Sequence, residues 1–134
     1  MRAQDANLIR AILAAIESEP GIRLAILFGS LAAGQERTES DLDLAVDAGH
    51  RLTPGEKVVL MNNLAERVGR PVDLVDFHAI GEPLLGQILR HGKRLLGGET
   101  CYANLLRRHL FDQADYLPYR TRILAERRRA WIGR

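Results

Sequence analysis

The sequence is poor in several kinds of residue. One of its 134 residues is a cysteine, Cys101, which excludes an internal disulfide. No second cysteine and no histidine cluster supplies the spacing of a zinc site. Cys101 reads as a small apolar residue. The four histidines, His50, His78, His91 and His109, are scattered, and each is expected at the surface without a role. Aromatic residues make up 5% of the chain, little material for the stacking platforms that hold single-stranded nucleic acid. No run approaches the roughly 18 consecutive apolar residues of a membrane span, and Met1-Arg2-Ala3-Gln4-Asp5 lacks the apolar stretch of a secretory signal. The expectation is a cytoplasmic protein with no membrane partner. Internal repeats and low-complexity tracts are also missing.

What the chain does have is enough apolar material, 46%, for one real core. One domain with an appendage is expected, residues 1–100 as the body and 101–134 as a helical extension. The net charge of +2 hides an asymmetry: residues 1–100 hold 11 basic and 14 acidic side chains, residues 101–134 hold 8 and 3. An acidic body thus carries a basic tail, concentrated in Arg120-Thr121-Arg122 and Arg127-Arg128-Arg129. That split suggests an interaction surface. With so acidic a body and so few aromatics, nucleic acid is disfavoured and a protein partner is the leading reading of the tail.

Periodicity divides the body into elements. Leu8, Ile9, Ile12, Leu13 and Ile16 recur at helical spacing, so a helix is expected from Asp5 to Ser18, ended by Pro20-Gly21. Ile22 to Phe28 is a short apolar run suited to a strand buried on both faces, with Gly29-Ser30 as a sharp turn into a helix. Asp41 to Val46 reads as a second strand. Thr53-Pro54-Gly55-Glu56 has the pattern of a capping box opening a helix to Val68. Pro71 to Phe77 reads as a third strand. Leu84, Leu85, Ile88 and Leu89 mark a helix that Gly92 terminates, and Lys93 to Leu96 reads as a short extra strand. Beyond Gly97-Gly98 a further helix is expected, with Tyr102, Leu105, Leu106 and Leu110 along its apolar stripe and a break at Pro118.

Alternation on the second strand sends Asp41 and Asp43 to one face while Leu42 and Leu44 face the other way. Two carboxylates held side by side repel each other unless one is protonated or a cation lies between them. Magnesium suits such a pair, because it takes oxygen ligands and binds through one or two carboxylates plus substrate phosphates. Asp73 lies in a third apolar strand, where an unpaired charge is expensive, and a place at the same metal centre accounts for it. Asp76 has the opposite parity. Upstream, the backbone N–H groups at Gly29-Ser30 and the dipole of the helix they open favour a phosphate.

Taken together, Gly29-Ser30, ten residues, Asp41-Leu42-Asp43, flanking apolar strands and a strand aspartate about thirty residues further on resemble the polymerase-beta-type nucleotidyltransferases. The resemblance is closest to their minimal subfamily, covers roughly residues 5–100, and is strongest from Leu27 to Leu44. It implies an α/β (α+β) fold, a small mixed sheet flanked by helices. It further implies that Asp41, Asp43 and Asp73 hold two magnesium ions, that Asp73 accepts a proton from the attacking group, and that Gly29, Ser30, Arg37 and Ser40 hold the triphosphate of ATP. Many relatives have basic residues at the positions of Leu31 and Ala33, so here the loop's contacts fall to Arg37 and Ser40.

The same resemblance implies an antitoxin that transfers AMP to a tyrosine of a HEPN-family toxin, with which it would form a hetero-oligomer. Two alternatives stand beside it. One is adenylylation of a small hydroxylated molecule such as an aminoglycoside; the other is a binding module that silences its partner by contact alone.

Overall fold

Alternation along the strands decides the layering. In the computed structural model, which describes residues 3–29 and 41–112, the order is α1 (Ala3–Glu17), β1 (Leu24–Phe28), β2 (Leu42–Asp47), α2 (Pro54–Val68), β3 (Val72–Asp76), α3 (Leu84–His91), β4 (Lys93–Gly97) and a helix α4 over 99–112. On one face of the sheet Ala25, Leu27, Leu42, Leu44, Val46, Val72 and Leu74 pack against Ile12, Ala15 and Ile16 of α1 and Leu60 and Leu64 of α2. On the other, Leu24, Ile26 and Ala45 pack against Leu85, Ile88 and Leu89 of α3 and Leu105 of α4. With helices on both faces, β1 has no outward polar face, which is why its sequence is a continuous apolar run rather than an alternating one.

The strands lie in the order β3-β2-β1-β4. β1 is antiparallel to both β2 and β4, while β2 and β3 are parallel with α2 as their crossover, so the expected mixed sheet flanked by helices is what forms. This topology has one consequence for function. The C-terminal end of β1 and the N-terminal ends of β2, β3 and β4 all meet at one end of the sheet.

Local signals account for the element ends. Thr53 Oγ1 accepts from Glu56 N at 3.1 Å and Thr53 N donates to Glu56 Oε1 at 3.1 Å, closing the capping box. Gly69 ends α2 with φ 80°, its N–H donating to Ala65 O. Gly92 also ends its helix, but in extended backbone (φ −74°, ψ 159°) rather than a left-handed cap. What requires glycine there is space: an added Cβ would lie 2.4 Å from Ile26 Cγ2 and from Ile88 O.

Two expectations need correction. The inward residues of α4 are Cys101, Tyr102 and Leu105, whereas Leu106, Leu110 and Phe111 are exposed, so the stripe runs over one side only and the later leucines leave the core. His109 is not a surface residue. Its side chain is 12% exposed, bonds through Nδ1 to Glu82 Oε1, and crowds Gly86, tying α4 to the start of α3. Pro118 lies outside the described residues, and no helix among those described is long and apolar enough to cross a membrane.

Candidate active site

β2 and β3 run parallel in a register that sets Asp43 directly beside Asp73, and the antiparallel neighbour β1 sets Phe28 opposite Asp43. Gly29, the next residue along, therefore arrives against the same carboxylate. Its φ of +78° belongs to the left-handed region that glycine enters without strain, and a Cβ there would lie 2.1 Å from Asp43 Oδ2. Backbone and carboxylate are in contact because no side chain separates them.

Asp43 is half-buried and Asp73 exposed. Burial pushes the Asp43 carboxyl above its ordinary value, the charges of Asp73 and Asp41 push it further, and a hydrogen bond with Asp73 adds to the effect. Nothing in that balance pulls the other way. Two hard oxygen donors side by side are a donor set that suits magnesium, which needs only one or two protein carboxylates when phosphates supply the rest. Asp41 stands one residue ahead of β2, exposed, and contributes its charge to Asp43. Among the described residues no group of three or more His, Cys, Asp or Glu side chains closes into a metal-binding cluster. The geometry is thus a pair, Asp43 and Asp73, with Asp41 beside it.

The cost argued for Asp73 from its apolar strand belongs to another residue. Asp73 faces solvent, whereas Asp76 is 3% exposed and is the buried carboxylate of β3. Asp76 accepts from Leu52 N at 2.8 Å and from His78 N at 2.9 Å, so its charge is satisfied within the fold. It pairs with Val46, at the other end of the sheet from Asp43. His78, given no role by sequence, lies 2.7 Å from Asp47 at that same far end. Ser30, Arg37 and Ser40 lie outside the described residues. Sequence reasoning had no signal for what stands beside β1 on its other side: β4 reads as a short extra strand, and only the topology shows that its first residue, Lys93, is opposite Leu27.

Comparison with known proteins gives four findings. Residues 10–100 match the family described as polymerase beta, nucleotidyltransferase. The chain is 36% identical over 78 residues to the protein adenylyltransferase MntA of Shewanella oneidensis, a match over 58% of this chain and 56% of that protein, so it spans just over half the length of that relative. Among solved structures it is similar to a chain of a toxin–antitoxin with AMP-PNP (26% identity, TM-score 0.74, 88% of this chain and 96% of that one). It also shares the fold of a chain in the complex of a tri-AMPylated Shewanella oneidensis HEPN toxin with MNT antitoxin (24% identity, TM-score 0.70, 91% and 97% covered).

Proposed function

The chain belongs to the polymerase beta nucleotidyltransferase family, and from that premise we propose that it is a cytoplasmic antitoxin that transfers AMP from ATP to a tyrosine hydroxyl of a HEPN-family toxin, forming a hetero-oligomer with it. The observation that carries the reading is the contact of Gly29 with Asp43, which stands beside Asp73 at the end of the sheet where β1, β2 and β3 meet. The likeness to a protein adenylyltransferase and to a toxin–antitoxin chain solved with AMP-PNP supports a protein acceptor and an adenine nucleotide.

In this reading Asp41, Asp43 and Asp73 are the ligands of two magnesium ions. Magnesium, when bound, would neutralise these carboxylates and the phosphate oxygens they face. Gly29, Ser30, Arg37 and Ser40 are the residues proposed to hold the phosphates, through backbone N–H groups, hydroxyls and the guanidinium. A tyrosine hydroxyl is a weak nucleophile while protonated. Asp73, the exposed member of the pair, takes that proton as the phenol oxygen attacks the α-phosphorus. The new bond joins the tyrosine oxygen to the α-phosphorus, the bond to the β-phosphate oxygen breaks, and pyrophosphate leaves with its electron pair.

The test is intact-mass spectrometry of the partner toxin after incubation with this protein, ATP and magnesium. One or more added AMP units are expected, lost with Asp41→Asn or on removal of magnesium. A partner silenced equally well by Asp41→Asn, with no change in mass, would replace this reading with neutralisation by contact.

A further inference from the structure

Register places a second row of side chains behind the carboxylates. On the face of the sheet that α3 and α4 cover, Phe28, Asp43 and Asp73 stand side by side across β1, β2 and β3. Two residues toward the far end of each strand, on the same face, stand Ile26, Ala45 and Val75. Ile26 and Ala45 are closed off at 1% and 0% exposure, whereas Val75 is half-buried. The helices thus cover β1 and β2 in that row more fully than β3, which is an edge strand. Ile80, in the connection that follows β3, and Leu84, the first residue of α3, are half-buried too and pack on the same apolar cluster as Val75. Behind Asp43 the apolar surface is shut; behind Asp73 it is partly open.

A half-exposed valine means nothing by itself, since scattered apolar residues are normal on any surface. Its place relative to the reaction gives it meaning. In a phosphoryl-type transfer the attacking and leaving oxygens lie roughly in line, on opposite sides of the phosphorus. In the proposed site the pyrophosphate leaves on the side of the Gly29 turn, at the end of β1, and Asp43 on β2 stands between that turn and Asp73 on β3. The attacking oxygen then arrives from the β3 side, at Asp73. A tyrosine oxygen brings its ring with it. Val75 lies about 6.6 Å along the strand from Asp73, a step that a phenol with its oxygen at Asp73 can span. There the ring covers apolar surface that would otherwise stay wet, whereas a serine or threonine acceptor has nothing to lay on it.

We propose that Val75, with Ile80 and Leu84, is the seat of the acceptor's aromatic ring and selects tyrosine over serine and threonine. This rests on the nucleotidyltransferase reading of the site and assigns its acceptor side. The test is NMR of the methyl-labelled full chain with magnesium and α,β-methylene-ATP, which cannot release pyrophosphate, and with N-acetyltyrosinamide or N-acetylserinamide as the acceptor probe. Cross-relaxation between the tyrosinamide ring protons and the methyls of Val75 and Leu84 is expected, with none from the serinamide. Val75→Thr, followed at the Leu84 methyls, should weaken tyrosinamide about threefold by replacing one methyl in the contact. Val75→Ile should bind it like wild type, and nucleotide affinity should be the same in all three proteins. Cross-relaxation from the adenine protons to the Val75 methyls would give the shelf to the base and overturn the proposal, as would tyrosinamide binding that Val75→Thr leaves unchanged or a probe that never meets these methyls. Each of those results leaves the nucleotide site standing. Wild-type protein that does not bind the magnesium nucleotide would sink both together.

Discussion

Two glycines with almost the same φ separate strain from chemistry. Gly29 has φ +78° and Gly69 has φ +80°, so alanine at either position must adopt the left-handed region. That costs about 1–2 kcal/mol, which in a domain of this size lowers the melting temperature by about 3–10 °C. The surroundings differ. Nothing lies within 4 Å of a Cβ built on Gly69, whereas one built on Gly29 falls 2.1 Å from Asp43 Oδ2. The half-exposed Asp43 side chain can swing away, so the clash adds little to the loss of stability, but the carboxylate then leaves its position beside Asp73. Gly29→Ala and Gly69→Ala should therefore melt at similar temperatures, both below wild type. Only Gly29→Ala should lose magnesium–ATP affinity, by about 10- to 100-fold for a displaced charged ligand. Scanning calorimetry supplies the first comparison and isothermal titration the second. If both variants bind nucleotide like wild type, or both lose it together, the contact between Gly29 and Asp43 has no functional meaning.

Asp73→Asn should abolish magnesium-dependent nucleotide binding and leave the melting temperature near wild type. Asp76→Asn should do the reverse, losing about 1–3 kcal/mol because one of two buried backbone donors is left facing an amide; chemical denaturation and titration on both proteins decide. Asp43 holds its proton more firmly in the folded protein than in the unfolded chain, chiefly through burial and then through the charges of Asp73 and Asp41. Its contribution to stability is thus present below the ordinary carboxylate value and is lost as pH rises through the raised one. Asp43→Asn should accordingly melt above wild type at neutral pH while failing to bind magnesium–ATP, and a lower melting temperature would contradict the repulsion argued for the pair. Removing residues 120–134, which hold six of the chain's arginines and one glutamate, should weaken complex formation with the toxin and spare nucleotide binding. Unchanged affinity for the toxin would make the tail a solvated face.

Much of the architecture was legible because each element has its own local cause. The capping box at Thr53 and Glu56 closes as its four residues imply, and the helical spacing from Leu8 to Ile16 yields a helix whose Ile12 and Ile16 are buried. Parity alone distinguished Asp43 and Asp73 from Asp76. What failed to be legible depends on tertiary neighbours. Leu106 and Leu110 have the right spacing for a stripe, but spacing cannot say where a helix runs off the edge of its core. His109 looks like any surface histidine until Glu82 and Gly86 are brought against it. The position of β4 beside β1 is a matter of strand order, on which hydrophobic period is silent.

The segment Val72-Asp73-Leu74-Val75-Asp76 carries two aspartates on a single short strand, and the fold treats them in opposite ways. Asp76 is almost fully buried, yet backbone N–H groups from Leu52 and His78 meet its oxygens, so it asks for nothing further. Asp73 is exposed, yet it stands beside another carboxylate, Asp43, and shares a hydrogen bond with it. Burial is thus the wrong measure of whether a charge needs a ligand; the state of its partners is the right one. On β2 the same division recurs, Asp47 accepting from Gly49 N and lying 2.7 Å from His78, and Asp43 left against Asp73. One end of the sheet has its carboxylates answered from within the chain, and this end serves stability. At the other, among the described residues, Asp43 and Asp73 meet each other beside a glycine turn, and there the electrostatic work of stabilising them is proposed to fall to whatever binds.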